Sequence, residues 1–276
     1  MTAVIPQIHW LGTAGVELEF DGQRLLIDPY LSRVPIWNLF FGRPHPKETL
    51  IQRVLRPARA VLVTHSHYDH LMDVPVVCRL LGAAAFGSAN TCALLAASGV
   101  PNSLRTEITP GDRRSLGPFS VDVFQGEHGR MLGLLPFRGR LSRRLSYPFR
   151  LADYRMDGML SFRVEAGGFS VLVWNSPHAE GIPESDALLF NPLWGAQACA
   201  QAAKSCGARW VVPIHWDDFF SPLDKPLHPL VAPPGWGRIQ IRRLDPGLFA
   251  RSVESRQVGL RVIVPGLLAP LTITNP

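Results

Sequence analysis

Apolar and polar positions alternate from the start of the chain. Gln7-Ile8-His9-Trp10-Leu11-Gly12, Val16-Glu17-Leu18-Glu19-Phe20 and Arg24-Leu25-Leu26-Ile27 are set apart by glycine turns. This pattern predicts half-buried strands in antiparallel hairpins. Residues 31–46 read as an irregular stretch, yet Trp37, Phe40 and Phe41 make it too aromatic for a solvated loop, so it should pack over a pocket or against a partner. A short buried strand follows, Ala60-Val61-Leu62-Val63-Thr64. The period then becomes helical over residues 74–81 and 90–98, with Gly82 and Gly99 as stops. Residues 121–124 read as another strand, and 160–164 with 169–174 as a hairpin around Gly167-Gly168. An alanine-rich helix at about 196–206 and a strand, Arg209-Trp210-Val211-Val212-Pro213-Ile214, complete the pattern.

At four places an apolar strand ends and histidine or aspartate comes next, which is where α/β proteins gather ligand and catalytic groups. No repeat of fixed period and no low-complexity linker divides the chain. The expectation is one domain over residues 1–276, with a loop-rich insertion at about 130–157.

Composition narrows this further. With 276 residues, 46% of them hydrophobic, the chain can bury a sizeable core. The net charge of +6 arises from 28 Lys and Arg against 22 Asp and Glu, which favours anionic partners or simply makes a cationic surface. Cys78, Cys92, Cys199 and Cys206 form no CxxC pair and suit free thiols, hence a reducing compartment. The start of the chain lacks the basic and long apolar segments of a secretory signal, so a cytoplasmic protein is expected. Residues 262–273 are apolar but are interrupted by Pro265 and Pro270 and are too short for a membrane helix.

The chemistry concentrates in Thr64-His65-Ser66-His67-Tyr68-Asp69-His70. His65 and His67, two apart on extended backbone, project to one side and can reach one cation. Asp69 and His70 lie where the chain turns into a helix, which aims them at a point displaced from the first pair. Two adjacent divalent ions are the geometric expectation. Imidazole with carboxylate suits zinc foremost, with manganese or iron as alternatives.

His65-x-His67-x-Asp69-His70 after an apolar strand resembles the signature of the metallo-β-lactamase superfamily. The resemblance implies an α/β fold, the αβ/βα four-layer sandwich, and a binuclear hydrolytic site. It also implies further positions along nearly the whole chain. Asp28, otherwise readable as a turn aspartate before Pro29, would support the site from behind its ligands. His128 would complete the first metal with His65 and His67, and His215 the second with Asp69 and His70. Where the superfamily places a bridging aspartate, this chain has Asn175-Ser176-Pro177-His178. Ser176 or Asn175 would be a weak, neutral donor, or there is no bridge at all, leaving the second site short of one charge and weakly occupied or bridged only by hydroxide. His178 could act as ligand or proton donor, or be a surface turn histidine. Asp217 and Asp218 could reach inward or sit in a solvated loop.

In such a site a metal-bound water ionises near neutral pH and attacks an ester, lactone, amide or phosphodiester, with Asp69 as ligand and orienter and Asp69 and His178 as the catalytic pair. Gly12-Thr13-Ala14-Gly15, the His-Tyr-Asp-His form of the cluster and Pro213-Ile214-His215-Trp216 look like the branch that holds bacterial L-ascorbate-6-phosphate lactonase and N-acyl-phosphatidylethanolamine phospholipase D. In the insertion, Arg138, Arg140, Arg143, Arg144 and Arg150 are interleaved with Met131, Leu132, Leu134, Leu135, Phe137, Leu141, Leu145, Tyr147 and Phe149. That mixture suits peripheral membrane contact with anionic lipid, or a cationic cap over the sandwich. The leading expectation is a metal-dependent hydrolase acting on a small-molecule or lipid-like anionic substrate as a phosphodiesterase or lactonase. A metal-binding sensory protein with a degenerate second site is the alternative. A nuclease is a third reading, encouraged by charge and discouraged by the absence of the extra domain that superfamily nucleases usually carry. A homo-oligomer also remains open.

Overall fold

The computed structural model describes residues 4–129, 137–141, 145–232 and 242–273. Strands β1 (Gln7–Gly12), β2 (Gly15–Phe20), β3 (Gln23–Ile27), β4 (Ala60–Leu62), β5 (Ala84–Gly87) and β6 (Arg105–Glu107) form one sheet in that spatial order. The first two pairings are the antiparallel hairpins predicted by alternation, and from β3 onward the strands run parallel. Parallel neighbours need crossovers. These are supplied by helices α1 (Ile36–Phe41), α2 (Glu48–Val54), α3 (Tyr68–Leu71), α4 (Val74–Leu81) and α5 (Ala89–Ala97).

The second sheet holds β7 (Arg113–Leu116), β8 (Phe119–Gly126), β9 (Met159–Ala166), β10 (Phe169–Trp174), β11 (Ala187–Phe190) and β12 (Trp210–Pro213). α6 (Ala196–Cys206) links β11 to β12. A two-residue ribbon, β13 (Val231–Ala232) with β14 (Arg242–Arg243), precedes α7 (Pro246–Glu254), and β15 (Arg261–Val262) then pairs with β12.

Side-chain alternation builds the layers. Leu25 and Ile27 of β3 face the second sheet, and Leu26 between them faces the helices. In β10, Val171 and Val173 face the first sheet while Leu172 and Trp174 pack on α6 and α7. Three apolar layers result: one between the sheets and one beneath each helical face. This is the four-layer αβ/βα sandwich.

The predicted helices at 74–81, 90–98 and 196–206 appear within a residue of α4, α5 and α6. Gly82 ends α4 in the left-handed region, at φ +67°, where a side chain would be strained. The stretch read as irregular contains α1, a six-residue helix whose Pro35 cap makes no side-chain hydrogen bond. The four cysteines are free. Among the described residues no helix is long and apolar enough to cross a membrane.

Residues 130–136 and 142–144, with Met131, Leu132, Leu134, Leu135, Arg143 and Arg144, lie outside the described residues. The described part of the insertion packs on the first sheet's helical layer through Phe149 and Tyr154. Its Arg155 carbonyl accepts the Ser66 hydroxyl at 2.6 Å, which ties it to the histidine loop.

Candidate metal centre

The site forms where strands of both sheets end at one edge of the sandwich. β4 runs into His65 and His67, and the first turn of α3 presents Asp69 and His70. From the second sheet, β8 delivers His128 and β12 delivers His215.

His65, His67 and His128 place ligand atoms within 4.8 Å of one another, as do Asp69, His70 and His215. The two groups adjoin, with the His65 and His70 rings 4.0 Å apart between centroids. In the first group His65 Nε2 faces His67 Nδ1 at 3.0 Å, and His128 uses its Nδ1 on the Gly129 carbonyl at 2.7 Å, which leaves Nε2 for the cluster. Burial, then the neighbouring histidines, lower the His65 pKa well below its usual value, and burial takes His128 to about 4. Three imidazoles converging with no carboxylate among them suit a cation better than they suit each other. In the second group Asp69 Oδ2 lies 3.5 Å from His70 Nε2 and 3.3 Å from His215 Nε2. The donor chemistry therefore fits two divalent cations, one per group.

Asp28 holds this arrangement from behind. Its carboxylate accepts the Thr64 amide at 2.8 Å, the Thr64 hydroxyl, and His70 Nδ1 at 2.7 Å. This fixes the His70 ring so that Nε2 points at Asp69. Burial would lower the His70 pKa, but the Asp28 and Asp69 carboxylates outweigh it and raise the ring's basicity. Replacing Asp28 by asparagine should weaken metal binding about 10–100-fold, as loss of such a partner typically does. A competition titration with a chromogenic chelator reads this directly.

His215 is placed by a network that spans the chain. Its amide donates to the Thr13 carbonyl at 2.7 Å, and the Thr13 amide donates to Asp217 at 3.0 Å. Asp217 is fully buried and pairs with Arg33, itself 1% exposed, whose other terminal nitrogen donates to the Asp218 carbonyl at 2.7 Å. Gly12 is required here. A Cβ on it would come 2.2 Å from an Arg33 nitrogen, and its φ is +92°. Asp217 is thus no solvated-loop residue but a buried anchor, while Asp218 turns its carboxylate onto the Phe220 and Ser221 amides.

Asp73 similarly pins the loop after Asp28, accepting the Leu31 and Ser32 amides at 2.7 and 2.9 Å. Burial pushes its carboxyl from the usual 3.8 up to about 6, against the pull of the Ser32 and Leu31 donors. The folded chain therefore retains a proton that the unfolded chain releases. This contribution to stability is complete below pH 3.8 and is lost as the pH rises through about 6. Asp73→Asn should flatten that part of the melting-temperature profile between pH 4 and 7, and the profile of the variant against the parent checks it.

Two expected site residues fall elsewhere. Ser176 is buried, but its hydroxyl accepts the His178 amide at 3.1 Å and it does not line the site. His178 has a 72% exposed side chain, 3.6 Å from Glu127. The cause is local: Trp174 Nε1 donates to the His178 carbonyl, which holds the turn on the outer face and sends the ring to solvent. The strand-end residue that does line the site is Asn175, and its amide donates to the Leu160 carbonyl.

The centre forms the floor of a cavity of about 490 Å³. Its walls are largely apolar, among them Ile36, Leu39, Phe40, Met159, Trp194 and Phe219. Besides Asp69 the only carboxylate among the described lining is Glu127, which composition and pattern did not single out, and there is no lysine or arginine.

Residues 23–216 match the beta-lactamase superfamily domain. The chain belongs to the metallo-β-lactamase superfamily. Over 125 residues it is 30% identical to a protein of Methylocella silvestris named a metal-dependent hydrolase, covering 44% of this chain and 47% of that one. The chain thus spans about half the length of the curated relatives it matches. In three dimensions it resembles a metallo hydrolase of the archaeon Ignicoccus hospitalis, with a TM-score of 0.64 at 17% identity over 98% of this chain and 99% of the other. It also resembles CmlA, a diiron β-hydroxylase of Streptomyces venezuelae, with a TM-score of 0.58 at 16% identity over 99% of this chain and 55% of that one. The superfamily fold therefore carries more than one metal chemistry, and the reaction has to be argued from the site.

Proposed function

We propose that this chain is a metal-dependent hydrolase that cleaves a carboxylic ester or lactone whose non-reacting part is apolar. The observation that carries this reading is the position of both ligand groups on the floor of one apolar-walled cavity. Divalent cations held there would supply Lewis acidity, lowering the pKa of water and polarising the oxygen under attack. The chain does the rest. Asp69 stays ionised between His70 and His215 and orients what binds there, Asp28 keeps His70 in the ligating tautomer, and Ile36, Leu39 and Phe40 exclude water from the bound chain. Glu127 lines the wall, where its carboxylate would accept the proton of the attacking water and pass it to the departing alkoxide.

The apolar walls favour a carboxylic ester over a phosphodiester, because no described wall residue would neutralise phosphate beyond the metals themselves. An anionic group on the substrate would have to lie outside the cavity, toward Arg43 and Arg150. The motif form shared with the lactonase and phospholipase branch supports hydrolysis and does not choose between ester and phosphodiester.

The test is a panel of p-nitrophenyl esters of increasing acyl length, with a lactone series and bis(p-nitrophenyl) phosphate, on protein reconstituted with zinc, manganese or iron. kcat/KM is expected to rise about three- to fourfold per added methylene until the cavity is full, from about 0.8 kcal/mol per buried CH2. Tight metal binding with no turnover of any substrate would favour the second reading, a metal-binding sensory protein, which the absence of a bridging carboxylate at Asn175 supports.

A further inference from the structure

The mouth of the cavity carries an apolar face of which the hydrolytic reading uses Phe40 alone. On α1, Trp37, Phe40 and Phe41 are 70%, 61% and 83% exposed, and Trp37 stacks on Phe41 with ring centroids 6.0 Å apart. An isolated exposed aromatic is ordinary, but a contiguous set on one short helix is not. Phe40 and Phe137 line both the cavity and an adjoining open groove, so the face and the cavity entrance are continuous. Among the described residues the groove also contains Arg43 and Arg150 and no carboxylate. Arg43 is braced against the Ser146 and Pro148 carbonyls, at 3.1 and 2.7 Å, which holds it at the rim.

We propose that this face docks on an anionic phospholipid surface, with Trp37 and Phe41 inserted at the headgroup boundary, the groove arginines on lipid phosphate, and the cavity entrance turned toward the bilayer. Exposed aromatic side chains beside guanidinium groups match such an interface in both polarity and charge. A second copy of the chain matches less well. A two-fold contact through this face would bring each groove's arginines toward their own counterparts, with no acidic residue among the groove's described residues to answer them. The proposal concerns the surface and stands whether or not the cavity cleaves esters.

The test is flotation of the full chain with phosphatidylcholine vesicles, with and without phosphatidylserine. Trp37 and Phe41 lie outside the cavity lining, so W37S/F41S should keep the parent's melting temperature and its ester turnover. Wild type is expected to float with the anionic vesicles, to be released as salt is raised, and to lose at least about tenfold in partitioning in W37S/F41S. Folded wild type that stays at the bottom with anionic vesicles overturns the proposal, as does equal flotation of the double variant. A concentration-dependent dimer in sedimentation that W37S/F41S dissolves would assign the face to a second copy instead.

Discussion

Replacing Asp69 by alanine is expected to remove most turnover and about one equivalent of bound metal. Asp69 Oδ2 is the single carboxylate oxygen that meets both His70 and His215. Burial would raise its pKa, but the His70 and His215 rings hold it well below the usual carboxylate range, so it is ionised at neutral pH. Without it only the His70 and His215 imidazoles of that group remain. Losing one cation's share of charge stabilisation, several kcal/mol, corresponds to about a 10²- to 10³-fold drop in kcat/KM. Metal analysis per chain, beside kcat/KM on the best ester, checks both parts. The His65, His67 and His128 group should keep its ion, so a variant with full metal content and full rate would place the chemistry elsewhere.

Asp217→Ala is expected to be the most destabilising single change near the site. It would strand the Arg33 guanidinium in a place that is 1% exposed and leave the Thr13 amide without its acceptor. Breaking a buried pair from one side costs about 3–5 kcal/mol, because the surviving charge stays desolvated. At about 2–4 °C per kcal/mol for a chain of this size, the melting temperature should fall by roughly 6–20 °C. The double change R33M/D217L should recover part of that loss, since no charge is then buried. Thermal melts of the two variants decide this. Metal affinity should fall in both, because Thr13 and Asp217 set the His215 loop.

The histidine cluster was legible because its donors lie within six positions and follow an apolar strand, so local spacing alone indicates convergence. Asp28, His128 and His215 stood out as strand-end residues, but their grouping with the cluster came only through resemblance, since nothing within the chain marks residues far apart in sequence as neighbours. The Arg33–Asp217 pair had no such aid. Its members are 184 positions apart, and an arginine in an irregular stretch carries no sign of burial. Alternation located the hairpins and helical spacing located α4, α5 and α6, whereas β5 and β11 went unread. Each is a four-residue apolar run that fits a strand or a helix turn equally well. Asn175 and Ser176 stayed alternatives because a strand end indicates which residues approach the site, but not which of two successive side chains faces it; Asn175 lines the cavity and Ser176 does not.

The candidate metal donors are contributed in halves. His65, His67, Asp69 and His70 belong to the part of the chain that ends with β6, and His128 and His215 to the part that begins with β7, with residues 108–112 between them. If the polypeptide were divided in that connection, neither fragment would hold a complete coordination set. Their reassociation would then follow the concentration of free cation, and chelation would act as a dissociation signal.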